Sequence, residues 1–110
     1  MKLGIAGTGK VVEQFLLVIA ELPEIQVTAI NSTPKSADKA IAFQKQYGID
    51  QVYSDYNQFL MEADIDTVYV AVINNLHFPF AKEALLHGKH VICEKPFTMS
   101  QKELIELERL

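Results

Sequence analysis

Apolar and polar positions along this chain alternate between two periods. Residues 3–6 form a short apolar run that Gly7 stops. After Val11, apolar side chains recur at Val12, Phe15, Leu16, Ile19 and Leu22, the spacing of one helix face, and Pro23 marks the end of that helix. Residues 25–30 are rich in β-branched side chains and predict a second strand. Thr33-Pro34 then opens a second helix, with Ala37, Ala40, Ile41 and Tyr47 on one face and Gly48 as its stop. A short third strand is predicted at residues 51–53 and a short helix at residues 56–61. Residues 67–72 read as the strongest strand, apolar on both faces, as in a parallel sheet covered on both sides. A helix is expected from about Phe78, helped by Pro79 at its start and stopped by Gly88. Residues 90–93 predict a fifth strand, and Ser100-Gln101-Lys102-Glu103 is a capping box opening a last helix with Leu104, Leu107 and Leu110 spaced along it. Five strands alternating with helices imply right-handed crossovers and a parallel sheet with helices on both faces.

Composition bounds this picture without changing it. The chain has 110 residues, one domain by size, and 49% of them are apolar, enough for a compact core. Charged residues make up 22%, as in an ordinary globular protein. The net charge of −4 is scattered, which argues against a nucleic-acid partner, where a basic face is expected. Cys93 is the single cysteine, so no intrachain disulfide can form and a reducing compartment is the simplest reading. The first apolar run is too short for a secretory signal, and no run approaches the ~18 residues of a membrane helix. The expected setting is therefore cytoplasmic, with no membrane partner. The chain ends inside a helical pattern at Glu108-Arg109-Leu110 with no stop signal, so a fragment of a longer protein is expected.

The first segment with chemistry is Gly4-Ile5-Ala6-Gly7-Thr8-Gly9-Lys10-Val11-Val12. A strand, a glycine turn and a helix in succession make an anion site: Gly7 permits the tight turn, and Gly9 lets the backbone approach a pyrophosphate. The helix starting near Lys10 and Val11 points free N–H groups and the positive end of its dipole there. Thr8 completes the turn. The third small residue of the G-x-G-x-x-G/A pattern is replaced by Val12. The same stretch satisfies G-x-x-x-x-G-K, the start of a phosphate-binding loop, but Val11 stands where a Mg²⁺-binding hydroxyl is required and Gly4 falls inside the strand.

About 20 residues beyond such glycines, NAD-binding domains carry an acidic residue for the ribose hydroxyls. Here the second strand ends in Asn31-Ser32-Thr33 with Lys35 nearby. Asn31 can hydrogen-bond the ribose. Ser32, Thr33 and Lys35 can accommodate a 2′-phosphate that nothing repels. The balance tilts toward NADP over NAD, while Thr33 is also placed to cap the next helix.

The most specific segment is Gly88-Lys89-His90-Val91-Ile92-Cys93-Glu94-Lys95-Pro96, preceded by Asn74-Asn75-Leu76-His77. With the glycine turn, these stretches resemble the glucose–fructose oxidoreductase / inositol dehydrogenase (Gfo/Idh/MocA) family along essentially the whole chain. The resemblance implies an α/β fold: a Rossmann-type doubly wound parallel sheet in order 3-2-1-4-5, truncated before a second α/β domain. It implies an NAD(P)-dependent oxidoreductase acting on a small-molecule sugar, cyclitol or related polyol or ketone. It places Lys95 at the active site, where an ammonium can stabilise or protonate the oxygen that becomes alkoxide as hydride moves. Glu94 would hold that lysine and contact the cofactor region, and Pro96 would rigidify the turn. Val72 and Asn74, near the end of strand four, are expected to border the cofactor. His77 matches the same motif, chiefly as helix-start architecture. Ile73 stands where many relatives carry proline. The second domain of such enzymes supplies most of the substrate pocket, a further catalytic histidine and the usual homo-oligomer interface, so residues 1–110 are expected to bind dinucleotide without turning over substrate. The rival readings are a non-catalytic dinucleotide-binding or sensing module, and a structural domain of this fold without cofactor.

Overall fold

The computed structural model describes residues 1–72 and 74–93, and of residues 74, 75, 77 and 93 it describes the backbone alone. The elements run β1 (Lys2–Ala6), α1 (Lys10–Ile19), β2 (Gln26–Asn31), a 3₁₀ turn (Pro34–Ser36), α2 (Ala37–Tyr47), β3 (Gln51–Tyr53), α3 (Tyr56–Glu62), β4 (Thr67–Val70), α4 (Asn74–Leu86) and β5 (His90–Cys93). Among the described residues all pairings are parallel, as strand–helix alternation predicts, and the order β3-β2-β1-β4-β5 is the one the family resemblance implies. The expected last helix from Ser100, and Glu94, Lys95 and Pro96, lie outside the described residues.

Each face of the sheet has its own core. Leu3, Ile5, Ile30 and Tyr69 point to the α1/α2 face, where they meet Val12, Leu16 and Ala40. Ala6, Ala29, Val68 and Val70 point to the opposite face and meet Phe59 and Leu60 of α3 and Ala84 of α4. Phe59 is fully buried at the centre of this second layer. Its ring lies where a side chain on Gly4 would be: a Cβ there would stand 2.6 Å from Phe59 Cζ. Gly4 is thus a packing residue inside β1, which is why the stretch cannot serve as a phosphate-binding loop.

An irregularity in β2 controls which face its end presents. Leu3 pairs with Val27, but Gly4 pairs with Ala29, so Thr28 is an extra residue in that strand. Its buried hydroxyl donates to the Asp64 carbonyl at 2.8 Å. Strand side chains alternate faces, so one extra residue reverses the alternation beyond it. Val27 and Ile30 consequently share the α1/α2 face. Asn31, paired with Ala6, falls on the α3/α4 face.

Several boundaries depart from the sequence pattern. Helix α1 ends at Ile19, not Leu22, and the chain passes through turns bonded Glu21 N–H to Val18 O and Leu22 N–H to Ile19 O. Thr33-Pro34 opens the 3₁₀ turn, with α2 proper starting at Ala37. Helix α4 begins at Asn74, so Pro79 lies inside it and not at its first position. Proline there lacks the N–H that would bond the carbonyl four residues back, at Asn75. The early start brings Leu76 and Phe80, one turn apart, onto the same cleft. Gly88 ends α4 as expected: with φ +75° it donates to Leu85 O, and Lys89 N–H bonds Ala84 O, which closes the last turn.

Candidate functional site

Strand ends, not side-chain reach, assemble the site. In a parallel sheet the carboxyl ends of all strands emerge along one edge, and a crevice opens where neighbouring connections leave in opposite directions. Here β1 leads to α1 on one face, while β4 leads to α4 on the other. The cleft at that point measures about 460 Å³.

Gly7 forms its floor. Its N–H donates to Asn31 O at 2.9 Å, and its φ is +129°. A Cβ would lie 2.3 Å from Ala71 O, so the chain passes between the ends of β2 and β4 only without a side chain. Gly9 has a different role. Its φ of −74° is open to any residue, yet a Cβ there would meet nothing within 4 Å. It occupies the N-cap of α1 with no side-chain cap. The Val12 N–H already bonds Gly9 O at 3.0 Å, so the Lys10 and Val11 N–H groups and the positive dipole end are left for an external anion.

The second wall comes from β2. Asn31 and Ser32 are only 6% and 4% exposed. Asn31 Oδ1 and Ser32 Oγ are buried without any hydrogen-bond partner among the described residues. Leaving a buried polar atom unsatisfied costs roughly 1–3 kcal/mol, so such atoms mark places where another molecule completes the bonding. Thr33 follows at the N-cap of the 3₁₀ turn, but its side chain makes no capping bond and is free to serve the cleft.

The third wall is apolar and aromatic. Tyr56 stacks on Phe80 with centroids 4.0 Å apart and planes at 17°, and its hydroxyl donates to the Phe80 carbonyl at 2.7 Å. Ala71, Val72 and Leu76 continue the wall. Asp55, the nearest carboxylate in sequence, caps α3 by accepting from the Gln58 N–H at 3.2 Å. No acidic side chain lines the cleft among the described residues.

Of the residues expected from sequence, Gly7, Thr8, Gly9, Asn31, Ser32, Thr33 and Val72 line this one cleft. Lys10 and Val11 stand exposed in the first turn of α1, beside the lining. Val12, off the glycine pattern, is fully buried with Leu3, Ile5 and Leu16, so packing explains its place. The start of α4 carries Asn74 and His77 next to Leu76. Sequence reasoning missed Pro34, Ser36, Ser54, Tyr56, Ala71, Leu76 and Phe80. Ser54 had a usable signal: it directly follows a predicted strand, and all strand ends converge here.

The shifted titrations lie away from the cleft lining. Asp66 is held below the ordinary carboxylate range by the Lys2 backbone N–H and the Thr67 hydroxyl. Lys2 is raised by its bond to Asp64. Burial, with Glu62 adding to it, raises Tyr53.

The fold and the cleft together define a dinucleotide-binding domain of the Rossmann type. The model of the Gfo/Idh/MocA oxidoreductase family, NAD-binding Rossmann fold, matches residues 1–110, and the chain belongs to that family. A scyllo-inositol 2-dehydrogenase (NADP(+)) from Bacillus subtilis is 35% identical over 107 residues, which are 97% of this chain and 32% of the relative. Among solved structures, a 3-ketoreductase from Actinomadura kijaniata in complex with TDP-benzene and NADP superimposes with a TM-score of 0.88 at 31% identity, covering 99% of this chain and 34% of that one. A scyllo-inositol dehydrogenase from Lactobacillus casei with bound NAD(H) and scyllo-inositol gives 0.84 at 28% identity, covering 99% and 32%. The chain thus spans about a third of the length of these relatives. Among the described residues no helix is long and apolar enough to cross a membrane.

Proposed function

We propose that this chain is the cofactor-binding domain of an NAD(P)-dependent dehydrogenase or reductase acting on a sugar, cyclitol or related polyol or ketone, with NADP favoured over NAD. The observation that carries the reading is the pair of buried, unpartnered atoms, Asn31 Oδ1 and Ser32 Oγ, set in one cleft with the side-chain-free turn at Gly7 and Gly9. A dinucleotide fits each element. The open space beside Gly9 admits the pyrophosphate, the uncapped end of α1 favours its charge, and the orphaned groups take the adenosine ribose. The tilt to NADP rests on the lining, which among the described residues holds no carboxylate, and on the exposed Lys35 beside it.

Bound NAD(P) supplies the hydride or accepts it. The family resemblance assigns Lys95 to the substrate oxygen, where its ammonium holds the proton that leaves or returns as that oxygen changes between hydroxyl and carbonyl. Glu94 keeps the lysine in place. Asn74 and His77 border the cofactor. The substrate class is supported by the inositol dehydrogenases among the relatives. In keeping with this class, the enzyme is expected to be a cytoplasmic homo-oligomer.

Titration of the protein with NADP and NAD tests the binding reading, and tighter NAD binding overturns the preference. A polyol panel followed at the nicotinamide absorbance tests catalysis. Lys95→Met is expected to lower kcat by about 10²–10⁴ while cofactor affinity holds. Unchanged turnover refutes the role given to Lys95. Dinucleotide binding with no hydride transfer to any substrate leaves a sensing module instead.

A further inference from the structure

Tyr56 is the first residue of α3, and the Asp55 cap that accepts the Gln58 N–H fixes where that helix begins. Its ring stacks on the buried Phe59 with centroids 5.8 Å apart, and more closely on Phe80 at 4.0 Å, while its hydroxyl donates to the Phe80 carbonyl at 2.7 Å. One half-buried side chain of α3 thus grips one residue of α4 by ring and by backbone, 24 positions along the chain. Tyr56, Phe80 and Leu76 all line the cleft.

The gripped residue directly follows Pro79. Inside α4 that proline supplies no N–H for the Asn75 carbonyl and its ring crowds the same carbonyl. The first turn of the helix, over Asn74–His77, is therefore joined to the rest by one bond fewer. It is also the turn that leaves the end of β4 at the carboxyl edge of the sheet. The Tyr56 hydroxyl is a minor source of stability, because water can serve a half-exposed phenol and the Phe80 carbonyl belongs to a helix ladder. What its bond adds is direction: it sets how α4 sits against α3 just beyond the weakened turn.

We propose that Tyr56 is a positioning residue for hydride transfer. Through Phe80 it holds the proline-weakened start of α4, with Leu76 and the positions of Asn74 and His77, at the cofactor cleft. The proposal rests on the dehydrogenase reading above. In this role Tyr56 touches no reacting atom. Without its hold the first turn of α4 samples several placements, and the reacting groups are aligned for a smaller fraction of the time. Misplacement of this kind costs rate more than binding. The Gly7–Gly9 turn and the Asn31-Ser32 strand end belong to other elements, so dinucleotide affinity persists.

The test compares wild type, Tyr56→Phe and Tyr56→Leu in the full-length enzyme. NADP titration, urea unfolding and turnover of the polyol that the panel selects, at saturating NADP, are measured on each. Tyr56→Phe keeps the ring and loses only the bond to Phe80 O, and it is expected to lower kcat about threefold to tenfold with NADP affinity and the polyol KM within about twofold. Tyr56→Leu loses the stack as well and is expected to lower kcat by about 30-fold or more. Should Tyr56→Leu fail to fold, Tyr56→Phe alone decides. A packing role predicts wild-type kcat in Tyr56→Phe, with only the urea midpoint lowered in Tyr56→Leu. A role as cofactor wall predicts weaker NADP binding in Tyr56→Leu at unchanged kcat. Either result overturns the proposal and leaves the dehydrogenase reading standing. Wild-type enzyme that binds NADP and turns over no polyol overturns that reading, and the proposal with it.

Discussion

Gly7 and Gly9 are two residues apart in one turn, yet substitutions there are expected to act with opposite signs on stability. In Gly7→Ala the new Cβ would stand 2.3 Å from Ala71 O, so the ends of β1 and β4 must separate by about 1 Å to reach the ordinary contact distance of 3.4 Å. Two hydrogen bonds resist that movement, Gly7 N–H to Asn31 O and Ala71 N–H to Ala6 O, both 2.9 Å. The φ of +129° adds a backbone conformation that alanine rarely adopts. Strain of this kind costs roughly 1–3 kcal/mol and a weakened hydrogen bond about 1 kcal/mol, so Gly7→Ala should lose roughly 2–4 kcal/mol. For a domain of this size that lowers Tm by about 10–25 °C. Gly9→Ser meets no atom within 4 Å at a φ of −74°, and serine is a good N-cap, so stability should hold or rise by a few tenths of a kcal/mol. The same side chain fills the space reserved for the pyrophosphate, and dinucleotide affinity should fall about tenfold or more. Urea unfolding at constant m measures the first quantity and cofactor titration the second. A Gly7→Ala protein within about 0.5 kcal/mol of wild type would refute the close-approach argument. A Gly9→Ser protein with wild-type affinity would refute the phosphate-turn argument.

Further substitutions probe the core and the charge at the sheet's lower edge. Phe59→Ala should destabilise by about 3–5 kcal/mol, and Gly4→Ala, damaging alone because its Cβ meets Phe59 Cζ at 2.6 Å, should cost less in the Phe59→Leu background. Strict additivity in that double-mutant cycle would show that the two residues do not share space. Asp66 has its pKa lowered in the folded chain, first by the Lys2 N–H and then by the Thr67 hydroxyl. The stability it contributes is therefore complete above the ordinary value of 3.8 and is lost as pH falls through the lower folded value. Urea midpoints of wild type and Asp66→Asn should differ at neutral pH and begin to draw together only as pH falls below about 4; a difference independent of pH counts against this account.

The class of fold was legible from local pattern because each cue acts over a few residues. The doubly apolar run of residues 67–72, a strand over Thr67–Val70, the helical face of Val12, Leu16 and Ile19, and the stop at Gly48 all report on their immediate chain. Strand–helix alternation then implies right-handed crossovers and a covered parallel sheet, whereas the order 3-2-1-4-5 is what the family resemblance implied. The glycine turn was legible because glycines between a strand and a helix leave that helix start open to an anion, and the Asn31-Ser32-Thr33 strand end because it falls about 20 residues beyond them. The start of α4 was misplaced because proline near a helix start is only a preference, which the packing of Leu76 and Phe80 overrides.

What the amino-acid order determined by itself, then, is the succession of elements, the covered parallel sheet and the edge at which the chemistry gathers. The tertiary structure alone decided which face each group serves. One extra residue at Thr28 turns Asn31 toward the α3/α4 side. Gly4 is explained by the Phe59 ring, 55 positions along the chain. Ser54, Tyr56 and Phe80 join Gly7 and Ser32 in one cleft because parallel pairing brings strand ends together across long stretches of sequence. Register and face are properties of a pair of strands, and a single strand read alone contains only one half of that information.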